Sequence, residues 1–315
     1  RFIVLFSTII PLSLRVNLDM GKTVCSAAIS GDPKMPNCIV RTSTIPEELG
    51  RIHYLLSDKT GTLTKNDMEL KKIHLGTVSF GHDNITELRQ HIQVIVDKAK
   101  DNSQQAIGSS GQAPLRGRRD ISARVFDVTL AMSLCHNVTP VQDADNPQLH
   151  TYQAASPDEI AIVKWTEAVG MTLVERQDRE LVKIDILGQQ HSFQVLHLFP
   201  FTSETKRMGV IVRDLVSQDI SFLQKGADVV MAKIVQANDW LEEECDNFAR
   251  EGLRTLVIAR KRLTQTQYDQ FDEAYRMARI SMQERNVKML TVIQDHLEHD
   301  MELLGVTGVE DKLQD

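Results

Sequence analysis

The sequence predicts an α/β fold: an open sheet that carries a carboxylate at its carboxyl edge, interrupted by a large α+β insertion built on an antiparallel sheet. Three observations predict it. The apolar run Ile52-His53-Tyr54-Leu55-Leu56-Ser57 ends abruptly in Asp58-Lys59-Thr60-Gly61-Thr62-Leu63-Thr64, the pattern of a buried parallel strand that presents an acidic side chain at its end. Residues 173–226 read as short strands of β-type composition separated by polar turns such as Gly188-Gln189-Gln190. Stretches with helical spacing flank that strand region.

Composition excludes several classes. The chain has 315 residues, 42% hydrophobic and 25% charged, enough for two domains with ordinary cores. A net charge of −7 and a pI near 5.8 argue against a nucleic-acid partner, which needs a basic surface. Cys25, Cys38, Cys135 and Cys245 form no CxxC pair, so neither a zinc site nor a disulfide framework is indicated, and a reducing compartment suits them.

Each residue of the central turn has a task if the substrate is a phosphoryl group. A carboxylate can accept phosphorus, Mg²⁺ neutralises phosphate oxygens, and Gly61 lets backbone N–H groups come close. Asp58 is the candidate nucleophile; the plain alternative is a surface turn capped by Asp58. The run DKTGTLT resembles the phosphorylation motif of the P-type ATPases. The related haloacid-dehalogenase phosphatases place a second Asp two residues after the nucleophile, as the acid/base for hydrolysis. Thr60 stands there instead, so a phosphoenzyme could persist. The resemblance implies a haloacid-dehalogenase-like (Rossmann-type) phosphorylation domain with Asp58 as acceptor. It also puts Lys59, Thr60 and Thr62 among the residues around ATP, and Mg²⁺ on Asp58 and the backbone oxygen of Thr60.

The opening run, Phe2 to Leu14, is apolar but shorter than the roughly 20 residues that span a bilayer, and Pro11 interrupts it. It reads as the end of a membrane helix, with a buried core helix as the alternative. In P-type pumps a proline here marks unwound backbone beside the transported species. Pro11-Leu12-Ser13-Leu14 supplies neither soft nor carboxylate ligands, so ion coordination is not suggested. PLSLRVNLDMGK and RTSTIPEELGR resemble the P4 family, the phospholipid flippases, and within it the IIA/IIB subgroup, and the likeness runs through most of the chain. Residues 30–40 and 97–120 are less similar.

After Lys65 a weakly alternating segment suggests a hinge and a first strand. Ile85–Lys100 has helical spacing with Asn84 as N-cap, and 101–120 lacks an apolar face and reads as a mobile loop. Arg116, Arg118 and Arg119 could meet anionic lipid heads, but three charges on a loop are more simply solvated. A second helix is expected over 121–138. Cys135-His136 on it is structural, because helix neighbours one residue apart do not face each other. Residues 143–150 form a loop, 238–251 an acidic helix that Asp239 caps, 252–259 a buried strand, 264–302 a charged helical scaffold and 303–312 a strand returning to the phosphorylation domain.

Ser156-Pro157-Asp158-Glu159 opens a helix through Val169, with acidic residues at its positive end. In the P4 family SPDE belongs to the nucleotide domain, and the resemblance puts Glu159 near the adenine amino group; helix-end electrostatics explains the same residues, and both readings can hold. Phe199-Pro200-Phe201-Thr202-Ser203 resembles the adenine-binding strand, with Phe201 stacking on the base and Ser203 beside it; a core Phe is the alternative. Many flippases have Arg at the place of Thr205 and Ser at the place of Gly209, which removes a side-chain phosphate contact from 205. Lys225 in Lys225-Gly226-Ala227 and Arg254 in Gly252-Leu253-Arg254 complete the nucleotide set by resemblance.

The expected layout is a membrane-helix end and stalk over 1–22 and a first phosphorylation segment over 23–67. A nucleotide-binding domain follows over 68–301, and a second phosphorylation segment begins in 302–315. Other family segments (an actuator domain, a TGD loop, a further Lys and a DGxND pair) are not found, so a piece of a longer pump is expected, one that binds ATP but neither phosphorylates itself nor moves lipid alone. The whole pump is expected to form an aspartyl phosphate at Asp58 and to move an aminophospholipid, phosphatidylethanolamine or phosphatidylserine, to the cytosolic leaflet. By subgroup resemblance it resides in late Golgi, endosomal or plasma membranes and needs no accessory subunit. The alternatives are a soluble dehalogenase-class phosphatase or phosphotransferase, disfavoured by Thr60 and a roughly 230-residue insertion, and an inactive ATP-binding module.

Overall fold

The computed structural model describes residues 2–3, 12–105, 120–142, 150–177 and 180–314. The chain divides into two compact units, Arg1–Lys59 and Thr60–Asp315.

In the first unit a helix, α1 (Leu12–Ser30), runs through and beyond the expected stalk. Thr23 and Ser26 bond back to the carbonyls of Asp19 and Lys22, so these hydroxyls need no partner outside the helix. A short helix, α2 (Ile45–Glu48), begins with Pro46 in its first turn, where its missing N–H costs nothing. Lys22 and Glu47 pair at 2.6 Å. From Ile52 to Asp58 the backbone has no regular structure, and Tyr54, Leu55 and Leu56 are exposed. The strand expected to deliver Asp58 is therefore not formed. A parallel strand needs hydrogen-bonded neighbours, and among the described residues of this unit there is no other strand. Of the expected membrane-helix end, residues 4–11 lie outside the described residues, as do 106–119 of the expected mobile loop. Among the described residues no helix is long and apolar enough to cross a membrane.

Among the described residues, the second unit is built on a sheet of nine strands. They are β1 (Thr64–His74), β2 (Ser79–Gly81), β5 (Met171–Gln177), β6 (Leu181–Ile186), β7 (Gln189–Phe199), β8 (Arg207–Asp214), β9 (Ile220–Gly226), β10 (Arg254–Leu263) and β11 (Glu302–Leu313). Their order is β2-β1-β11-β10-β9-β8-β7-β6-β5, and every pairing is antiparallel. A two-stranded hairpin, β3 (Thr139–Gln142) with β4 (His150–Gln153), stands apart. The expected antiparallel sheet is present and extends beyond residues 173–226 to include β1, β2, β10 and β11. The final strand, read from the sequence as a return to another domain, lies here between β1 and β10.

Alternation decides which helices cover which face, because successive strand side chains point to opposite sides. Val210, Val212, Leu223 and Ile258 pack with α3 (Ile85–Gln105), α4 (Ile121–Leu134) and α5 (Pro157–Val169). Ile211, Phe222, Val257 and Ala259 pack on the other face with α6 (Asp228–Met231), α7 (Leu241–Arg250), α8 (Gln265–Ile280) and α9 (Arg285–His296).

Several boundaries differ from expectation. Asn84 lies in a 3₁₀ turn, where its amide oxygen accepts from Gly81 N–H and its NH₂ donates to Glu87. The lead into α7 is held by Asn238, whose Oδ1 accepts from Leu241 N–H at 2.9 Å, rather than by Asp239. α3 continues to Gln105, five residues into the expected loop, and α4 stops at Leu134. Cys135 and His136 thus follow a helix end instead of lying on a helix.

Candidate nucleotide site

Glu159 sits in the first turn of α5, and Lys225 is the penultimate residue of β9 on the face that α5 covers. Both are buried, and Lys225 Nζ donates to Glu159 Oε1 at 2.9 Å. The other oxygen of Glu159 accepts from Asn137 N–H at 3.2 Å. A carboxylate offers about four lone-pair sites and an ammonium three protons, so each retains capacity toward a ligand. Lys225, placed in the nucleotide set by resemblance, is thus a buried side chain held by Glu159.

Arg254, the first residue of β10, pairs through Nη1 with Asp158 Oδ2, and its side chain is 53% exposed. The second oxygen of Asp158 is buried without a hydrogen-bond partner. Asp158 and Asn137 were not among the candidates from sequence. The acidic pair at a helix start was the available signal for Asp158, whereas Asn137 acts through its backbone and leaves no signal in residue type.

Phe201 and Ser203 occupy the loop 200–206 between β7 and β8. Phe201 is 60% exposed, which removes the core-Phe alternative. The loop is folded on itself: Thr202 Oγ1 accepts from Thr205 N–H at 3.1 Å and Thr202 O from Lys206 N–H at 2.8 Å. The hydroxyls of Thr202 and Thr205 also bond to each other at 2.7 Å. Lys206 is exposed at φ +51° on this loop, a cation that the sequence reading passed over. Gly209 is required by close packing: a Cβ there would lie 2.8 Å from the buried ring of Phe222.

The pairings Phe199↔Gly209, Arg207↔Gly226, Val257↔Gly226 and Arg254↔Val309 put the end of β7, the start of β8, the end of β9 and the start of β10 at one end of the sheet. Thr60 and Thr62 lead into β1, whose start pairs with Leu313 of β11 at that same end. Gly61 N–H donates to Thr64 Oγ1 at 3.2 Å. Asp58 and Lys59 belong to the first unit, where Asp58 Oδ1 accepts from Lys59 N–H at 2.8 Å and the carboxylate is exposed.

Cys135 Sγ faces the carbonyls of Met208 and Leu223 at 3.7 Å, and burial pushes its thiol up to about 11. Burial disfavours its thiolate, the environment of a structural cysteine. Buried His136 donates through Nε2 to Ser133 O and accepts at Nδ1 from Val138 N–H; burial first, then Arg176 and Lys225, hold it well below the usual imidazole range.

The sequence expectation for Mg²⁺ rests on Asp58 and the Thr60 carbonyl, and among the described residues no cluster of three or more His, Cys, Asp or Glu could hold a metal. Mg²⁺ demands near-octahedral oxygen coordination, so these residues do not make a cage by themselves.

Residues 125–315 match the family model described as P-type ATPase, cytoplasmic domain N. The whole chain is 54% identical to the phospholipid-transporting ATPase NEO1 of Saccharomyces cerevisiae. It is 51% identical to the probable phospholipid-transporting ATPase IIB of Danio rerio and to the probable phospholipid-transporting ATPase tat-5 of Caenorhabditis elegans. It spans 27%, 30% and 28% of the lengths of these three relatives.

Proposed function

The chain belongs to the P-type ATPases, and from that premise we propose that it binds ATP at this end of the large sheet and carries the aspartate that ATP phosphorylates in a phospholipid flippase. The observation that carries the reading is Phe201: an aromatic ring left open to solvent on a hydrogen-bonded loop that also carries Lys206, at the sheet end that bears Arg254 and Lys225, the latter bonded to Glu159.

Adenine stacks on Phe201, and the remaining acceptor capacity of Glu159 meets its exocyclic amino group, which guanine lacks at that edge. Lys225 orients Glu159 through its 2.9 Å hydrogen bond. The free oxygen of Asp158 suits a ribose hydroxyl, while the unused donors of Arg254 and the ammonium of Lys206 suit phosphate oxygens. Ser203, on the same loop, is within the nucleotide set.

In the phosphorylation step an Asp58 carboxylate oxygen attacks the γ-phosphorus. The bond from that phosphorus to the β–γ bridging oxygen breaks, ADP leaves, and an acyl phosphate remains. Thr60 supplies no general base for its hydrolysis, so the intermediate lasts long enough to drive domain motion. Lys59, Thr60 and Thr62 orient the phosphates around Asp58. Mg²⁺ bound with ATP would supply charge neutralisation, and Asp58 and the Thr60 carbonyl would be two of its oxygen donors. Around Asp58 we assign a haloacid-dehalogenase-like phosphorylation domain that includes residues 23–67. The transported species is an aminophospholipid moved to the cytosolic leaflet of late Golgi or endosomal membranes, without an accessory subunit. The relatives' names support a phospholipid and a membrane setting.

The test is calorimetry of the chain with ATP and GTP, together with acid-quenched labelling of the full-length protein by γ-labelled ATP. Preferential ATP binding and hydroxylamine-sensitive label at Asp58 are expected. Equal affinity for both nucleotides would remove the adenine assignment, and absence of label would remove the acyl phosphate.

A further inference from the structure

Loop 200–206 is exposed, yet its base is fastened to a residue far away in sequence. Arg207, which ends the loop, donates through Nε and Nη2 to the two oxygens of Glu298, both at 2.6 Å. Its third donor, Nη1, reaches back to Thr205 O at 3.1 Å. The Arg207 and Glu298 side chains are only 11% and 3% exposed. Gln224, buried on β9, also donates to Glu298. On the other side Ala227 N–H donates to Lys206 O at 3.0 Å, and Gly226 lies so close that a Cβ there would stand 2.8 Å from Arg207 Cβ.

We infer that Glu298, acting through Arg207, is a positioning residue that sets the loop carrying Phe201; the inference rests on the nucleotide reading of that loop. A bidentate carboxylate–guanidinium pair fixes both the distance and the plane of the arginine. The third guanidinium donor passes that orientation to the loop backbone at Thr205. An unfastened loop has to be ordered by the nucleotide itself, and that cost appears as lost affinity. Glu298 comes from the turn after α9, a region that sequence alone assigns to scaffold, and it has no reason to touch the ligand.

The test is a double-mutant cycle on the chain, Glu298→Gln against Phe201→Ala, read by ATP calorimetry and by amide hydrogen exchange at Lys206 and Ala227. Glu298→Gln should weaken ATP about tenfold and speed exchange at those amides, while Glu298→Asp recovers part of both. In the Phe201→Ala background the same change should cost little more, because the group it positions is gone. If Glu298→Gln leaves affinity and exchange unchanged, or if its effect simply adds to that of Phe201→Ala, the inference fails. If Phe201→Ala alone leaves affinity unchanged, the nucleotide reading of the loop fails instead, and faster exchange in Glu298→Gln still establishes the clamp. Should Glu298→Gln not fold, Arg207→Lys, which keeps the charge and loses the bidentate geometry, carries the same comparison.

Discussion

Replacing Phe201 with Ala separates binding from stability. The ring is 60% exposed, so little buried apolar area is lost and the fold should change by no more than about 0.5 kcal/mol, as for other surface substitutions. A base stacked on an aromatic side chain is worth about 1–3 kcal/mol by alanine substitution. At 1.4 kcal/mol per decade this predicts a loss of ATP affinity between about 5-fold and 150-fold. The control is Phe222, whose ring is fully buried and contacts Phe199 at 6.0 Å between centroids. Phe222→Ala should cost about 3–5 kcal/mol of stability. Calorimetry with ATP and a thermal melt on each variant give the four numbers. The reasoning is refuted if Phe201→Ala lowers the melting temperature as Phe222→Ala does, or if its ATP affinity matches the parent.

The buried Glu159–Lys225 pair predicts strong non-additivity. Glu159→Ala or Lys225→Met alone should destabilise by about 3–5 kcal/mol, since each leaves a buried charge unpaired, whereas Glu159→Met with Lys225→Met recovers most of the loss in urea denaturation. Simple addition of the two single costs would contradict the pairing. Asp58→Asn in the full-length protein should abolish acid-stable label while ATP affinity stays within about twofold, because an amide is not a nucleophile of this kind; persistent label would show another acceptor. His136 predicts a pH dependence. Its folded value is depressed and the unfolded chain titrates near 6.5, so below that pH the unfolded state binds a proton that the folded state does not. Stability is then fully present above about pH 6.5 and falls as pH drops, by up to about 1.4 kcal/mol per unit from this side chain. His136→Gln should flatten that slope in denaturation between pH 5 and 6.5, and an unchanged slope would exclude His136 as its source.

Much of the local structure was legible in the residues themselves. β-type composition between polar turns marked β6, β7, β8 and β9, and Ser156-Pro157 followed by two acidic residues marked the start of α5. These signals are local, because periodicity and end effects depend on residues within a turn or two. The motif at Asp58 was legible as chemistry, but the strand before it was not legible as structure. An apolar run becomes a strand only when neighbours hydrogen-bond to it, and the described part of the first unit provides none. Tertiary structure alone decided who meets whom at the site. Glu159 finds Lys225 across 66 residues, Arg254 finds Asp158 across 96, and Arg207 finds Glu298 across 91. Each pair joins a strand to a helix start or turn packed against the sheet, and that packing follows from burying two helical layers on opposite faces of one sheet, a condition no single stretch of sequence contains.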